Sequence, residues 1–217
     1  MPSVMPSAHP LGDSAITIAF GEERSPALLG WIHAAACSIR SARIPFVVDV
    51  VPAYLALTVF YDPVAATYDD AAKLLIEKCT TAPSEADDRK PREHIIAVRY
   101  DGIDLPAVAE ATRLDVEEVV ALHSGRAYTV DILGFVPGFA YLSELDPALH
   151  LPRRAQPRPR VAAGSVAIAA AQTAVYPLDT PGGWHLIGTT NQLMFDPRSE
   201  PPALLAPGDI VRFEPLK

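Results

Sequence analysis

Lysine is scarce in this chain. Only Lys73, Lys78, Lys90 and Lys217 occur, with none from residue 91 to 216. That gap removes lysine Schiff-base chemistry and a lysine phosphate clamp from the second half, apart from the C-terminal residue itself. Cysteine is scarcer, with Cys37 and Cys79 alone, each in a stretch of helical periodicity, which predicts reduced thiols packed as small apolar groups rather than a disulfide. No apolar run approaches the roughly 18 residues of a membrane span, and Met1–Pro10 lacks the basic, apolar and small-residue succession of a signal peptide. The chain therefore reads as cytoplasmic, with no membrane partner.

Motifs are missing as well. There is no G-x-x-x-x-G-K-[ST], no strand-linked G-x-G-x-x-G and no H-E-x-x-H, and the six histidines show no metal-ligand spacing. A formal charge of −8 argues against nucleic acid as the main partner. Against that acidic background, LPRRAQPRPR (151–160) concentrates four of the fourteen arginines.

Proline is plentiful: 22 residues, about twice the usual share of roughly 5%. Because proline presets φ and cannot donate to a sheet ladder, this predicts short strands and fixed turns. AITIAF (15–20) alternates as a strand. Ser25-Pro26 then opens a helix with Leu28, Ile32, Ala35 and Ile39 on one face. Phe46–Val50 and Leu55–Tyr61 predict two strands, and Thr67 with Asp70 opens a second helix buried along Tyr68, Ala71, Leu75 and Cys79. With His94–Arg99 as a closing strand, the order β-α-β-β-α-β is the ferredoxin-like split motif. The polar stretch TAPSEADDRKPRE (81–93) is expected to be a surface loop, with a domain boundary near residue 100.

Beyond it, Asp104 and Asp115 suit the N-caps of two short helices, the second with Glu118 at the capping-box position. From Ala127 onward AYTVDIL, SVAIAA, TAVYP, LIGTT, QLMF and DIVRF are strand-like and separated by turn residues, as in a β-barrel or sandwich. The fold class expected is α+β, with residues 1–100 ferredoxin-like and residues 101–217 a β-barrel.

Four glycine- and proline-punctuated segments carry the candidate chemistry: GFVPGFAYL (134–142), PRRAQPRPR (152–160), AGSVAIAAAQTAVYP (163–177) and TPGGWHLIG (180–188). Arg153 and Arg158 have the planar fork that grips a carboxylate or phosphate, Tyr141, Gln172, Thr173 and Tyr176 can orient an amide or carboxyl group, and Trp184 offers an apolar wall. The other reading is that the aromatics fill the barrel and the glycines serve turns. A Ser165–Asp179–His185 triad can be drawn, although AAGSVA departs from the nucleophile elbow.

In this order and spacing the four segments resemble the family that includes the B-type subunit of 5-oxoprolinase, the allophanate hydrolase subunit 1 domain and the sporulation kinase inhibitor KipI. LGDSAITIAFG (11–21), VDVVPAYLALTVFYDP (48–63) and LLAPGDIVRFEPL (204–216) extend the resemblance over most of the chain. It implies a cyclophilin-like β-barrel for the C-terminal domain. It also implies association with a second barrel subunit, of the kind found as the C-type subunit of 5-oxoprolinase or as allophanate hydrolase subunit 2. In 5-oxoprolinase a third, A-type subunit joins them for ATP-dependent (Mg) opening of 5-oxoproline to glutamate. The alternatives implied are a KipI-like inhibitor of a sensor histidine kinase and a component of allophanate hydrolase or urea carboxylase type. Ala162, Ala170, Ala171 and Ala174 stand where the family pattern has proline or glycine, so their methyl groups are expected to crowd the site or oppose a positive φ. Asp131 and His185 are also atypical, as substrate determinants or as surface substitutions.

Overall fold

A computed structural model describes residues 5–81 and 91–216, in two compact units, Met1–Lys90 and Pro91–Lys217. Residues 82–90, the larger part of the expected 81–93 loop, lie outside the described residues.

In the first unit the strands are β1 (Ser7–Pro10), β2 (Ala15–Ala19), β3 (Val47–Pro52) and β4 (Ala56–Tyr61), and the helices are α1 (Pro26–Ser41) and α2 (Tyr68–Thr81). The strands form one antiparallel sheet in the order β1-β2-β4-β3. Both helices begin as the capping residues dictate. The Ser25 side chain accepts from the Leu28 N–H at 3.2 Å, and Thr67 and Asp70 bond reciprocally. Ile32 and Ile39 of α1 and Leu75 and Cys79 of α2 share a core with Ile16, Ile18, Leu57 and Val59. Burial alone pushes the Cys79 thiol up to about 12, so it stays a neutral apolar group.

The sixth element of the expected split motif is elsewhere. Residues Glu93–Val98 form β5, which pairs in parallel along its whole length with β13 (Ile210–Pro215) of the second unit. Their alternation decides this: Ile96 and Val98 point into the second core beside Val211 and Phe213. β1, which no sequence signal marked, takes the sheet edge beside β2 instead. The boundary accordingly falls between residues 90 and 91 rather than at 100.

The second unit continues with α3 (Leu105–Thr112), α4 (Val116–Ser124), β6 (Ala127–Leu133), β7 (Ala140–Ser143), β8 (Arg158–Val161), β9 (Ser165–Ala169), β10 (Gln172–Val175), β11 (Thr180–Gly182) and β12 (His185–Thr189). Seven strands form a barrel-like sheet, β12-β9-β10-β7-β6-β13-β5, while β8 and β11 form a separate pair. QLMF (192–195) is not a strand. Its backbone pairs only through an isolated bridge between Phe195 and Ala203, although Met194 is buried. α4 carries the expected Asp115–Glu118 capping box. Asp104 occupies the N-cap position of α3, but its side chain does not cap the helix.

Closure of the barrel depends on the chain that follows β5. Arg99 and Thr189 exchange two backbone hydrogen bonds, 2.9 and 2.7 Å, and the Gly102 and Asp104 N–H groups donate to Ile187 and Leu186 of β12. Glycine permits the approach: a Cβ at Gly102 would lie 2.3 Å from the Leu186 carbonyl oxygen, and one at Gly188 would lie 2.7 Å from that of Arg99. Tyr128, Leu142, Ile168 and Val211 fill the interior, and Leu105, Val108 and Val119 of the helices join the same core.

A methyl group in this seam meets backbone, which cannot rotate away. Gly102→Ala is expected to cost about 3 kcal/mol or more, whereas Gly30→Ala in α1, where nothing lies within 4 Å of the new Cβ, is expected to gain about 0.5–1 kcal/mol. Guanidinium unfolding curves of the two variants check both signs.

Candidate functional site

Strand alternation gives β9 and β10 two unlike faces. Val166, Ile168 and Val175 point into the barrel, while Ala167, Ala169 and Ala174 point outward and form, with Phe139, Val161, Tyr176 and Trp184, a second apolar cluster on the barrel's outer surface. Above this cluster lies a cavity of about 230 Å³. Phe139 organises its walls through edge-on contacts with Phe135, Tyr141, Tyr176 and Trp184, with ring centroids 4.9 to 5.8 Å apart. Gly182, Gly183, Pro157 and Pro181 complete the wall beside Arg153 and Arg154.

Four of the seven sequence-derived candidates meet in this cavity: Tyr141, Arg153, Tyr176 and Trp184. Arg153 is exposed and makes no hydrogen bond or ion pair with the described residues. Beside the Tyr176 hydroxyl, the Trp184 backbone N–H and the Arg153 charge favour ionisation. Burial raises the pKa of both Tyr141 and Tyr176, outweighing the nearby Arg153 charge that favours ionisation. Both phenols therefore remain protonated at neutral pH, as donors rather than bases.

The other three candidates are elsewhere. Arg158 is engaged by Asp104, with Nη1 to Oδ2 at 2.9 Å and Nη2 to Oδ1 at 2.7 Å. Arg154 donates to the same carboxylate at 2.9 Å, and the Leu186 N–H adds a fourth bond at 2.8 Å. This explains why Asp104 does not cap its helix. Burial opposes the charge on Asp104, yet the Arg158 and Leu186 hydrogen bonds and the charges of both arginines prevail and hold its pKa below the usual value. Gln172 has the parity of Ala174 on β10, and of Tyr176 just beyond it, but does not line the cavity.

Thr173 faces the interior. Its hydroxyl donates to the Ala167 carbonyl at 3.0 Å, so it must accept from His123 Nε2 at 2.8 Å; His123 Nδ1 then accepts from the Tyr100 hydroxyl at 2.7 Å. One neutral tautomer satisfies the whole chain. Full burial depresses the His123 pKa to about 3.

The proposed triad is not assembled. Asp179 bonds Arg160 and the Ala163 N–H, His185 bonds the Pro152 carbonyl, and no hydrogen bond among the described residues joins either to Ser165. Asp131 is buried and accepts from Ser143 at 2.7 Å, so it ties β6 to β7 rather than facing ligand or solvent. None of the four atypical alanines lines the cavity. Ala170 adopts φ 50° in spite of its methyl group, and Ala174 is fully buried in the outer cluster. Asp104 and Phe139 are the residues that sequence reasoning missed. Phe139 lies within GFVPGFAYL, whereas Asp104 carries only a capping signal.

The family described as carboxyltransferase domain, subdomain C and D, matches residues 6–205. Among curated relatives, the B-type subunit of 5-oxoprolinase from Bacillus subtilis is 40% identical over 218 residues, covering 94% of this chain and 90% of the relative. Its counterpart from Escherichia coli O157:H7 is 45% identical over 182 residues, 82% of each. The crystal structure of TTHA0988 superposes with a TM-score of 0.84 at 43% identity over 94% of this chain, which spans only 40% of that longer one.

The buried imidazole generates a pH prediction. His123 is depressed in the fold from about 6.5 to about 3, so its contribution is complete above pH 6.5 and is lost as pH falls toward 3. Within that window His123 should add a slope of about 1.4 kcal/mol per pH unit to the unfolding free energy. His123→Gln should flatten it, as measured by urea unfolding at several pH values.

Proposed function

We propose that this chain, which belongs to the family of the carboxyltransferase domain, subdomain C and D, is the B-type subunit of a 5-oxoprolinase and contributes the substrate-binding wall of a shared active site. The observation that carries this reading is the cavity itself, in a chain 40% identical to a B-type subunit of 5-oxoprolinase along nearly its whole length. It pairs aromatic faces with one unengaged guanidinium, the chemistry that holds a small cyclic carboxylate. Arg153 would meet the carboxylate of 5-oxoproline and the Tyr176 O–H would polarise the lactam carbonyl. The aromatic rings would cover the methylene edge.

Ring opening also needs a base for the attacking water, and the cavity wall holds no carboxylate, imidazole or thiol. That composition supports a site completed by another chain, expected to be a second barrel subunit of C type, with a third subunit of A type. The cavity does not fit ATP. About 230 Å³ with one unengaged arginine suits neither a triphosphate nor its magnesium ion, so nucleotide chemistry is assigned to the complex and not to this wall.

The test is reconstitution. The chain alone should show no 5-oxoproline-dependent ATP hydrolysis, and the assembled subunits should show it; full activity from the isolated chain contradicts the proposal. In the active complex, Arg153→Gln should raise KM for 5-oxoproline about tenfold or more while leaving KM for ATP unchanged.

A further inference from the structure

Three arginines cluster beside the cavity, but they are not equivalent. Asp104 lies outside the cavity lining, at the end of the barrel seam, with its side chain only 6% exposed. Its two oxygens receive four hydrogen bonds from three residues on two segments: Arg154, Arg158 twice, and the Leu186 backbone. Arg154 and Arg158 bracket Pro157, and the segment is pinned further where the Arg154 N–H donates to the Gly183 carbonyl at 2.8 Å and His185 reaches the Pro152 carbonyl. Arg153, between these anchors, alone keeps an unengaged guanidinium.

The geometry points to Asp104 as the positioning and charge-selecting residue of the cavity: it fixes the 152–158 strap and withholds Arg154 and Arg158, so that the site takes a ligand with a single anionic group on a compact apolar ring. This deepens the functional reading above and rests on it for the identity of the ligand. A monocarboxylate finds Arg153. A second carboxylate or a phosphate finds Arg158 already bound bidentately to a buried anion, and Arg154 committed to the same anion through Nη1 with its Nε buried, so recruiting either guanidinium competes with Asp104. A purely supporting role for Asp104 would favour no ligand charge over another.

Two measurements on the full chain separate these cases. In the first, phenylglyoxal labelling is followed by peptide mass spectrometry with no ligand present. Arg153 should react about tenfold or more faster than Arg154 and Arg158. Asp104→Asn should bring all three to similar rates, and Asp104→Glu should restore much of the difference. Equal reactivity of the three arginines in the wild-type chain overturns the inference even if Asp104→Asn does not fold.

In the second, calorimetric titrations compare 5-oxoproline with glutarate, which carries two carboxylates. Asp104→Asn should shift the ratio of affinities toward glutarate by about tenfold. An equal loss for both ligands assigns Asp104 a merely supporting role and overturns the inference. The expected labelling pattern without any 5-oxoproline binding, in chain or complex, overturns the functional reading and the ligand class drawn from it. A labelling pattern unaltered by Asp104→Asn overturns the inference alone.

Discussion

One buried carboxylate organises the second unit. Taking a charge out of water costs several kcal/mol, and the cost is met only where every lone pair finds a donor. Asp104 meets that condition with two guanidiniums and a backbone N–H. It can do so because the chain from Arg99 to Asp104 runs close along β12, an approach that Gly102 and Gly188 permit. Barrel closure, the start of α3 and the shape of the arginine strap are therefore one arrangement. Removing Asp104 would leave two arginines uncompensated as well as a seam without its end.

The same sheet serves two purposes because its strands alternate. On β10, Thr173 and Val175 belong to the interior, where Thr173, His123 and Tyr100 form a fully satisfied chain of neutral groups. Ala174 and then Tyr176 belong to the outer face, beneath the cavity. A shift of one residue in register would exchange these roles. The proposed binding chemistry thus sits on a wall whose rigidity comes from the packed barrel behind it, an arrangement suited to holding a ligand in fixed orientation.

Local patterns were legible in the sequence, and long-range pairings were not. The apolar faces of α1 and α2, the Asp115 capping box, and strands β6, β9 and β13 follow from periodicity and turn residues, and they appear where expected. The alternation of His94–Arg99 marked a strand correctly but said nothing about which sheet would receive it, since its partner β13 lies more than a hundred residues away. Arg153 and Arg158 looked alike for the same reason: the residue that distinguishes them, Asp104, is about fifty positions earlier and carries the signature of a helix cap. Thr173 and Gln172, adjacent in a conspicuous motif, separate once strand parity is applied.

On the proposed reading, the ligand is held in the outer cavity of the second unit. Hydrogen–deuterium exchange of the assembled complex, with and without 5-oxoproline, tests it most directly. Ligand-dependent protection is expected to concentrate in residues 152–158 and 180–186. Protection confined to other segments of the chain, with these two unchanged, would contradict it.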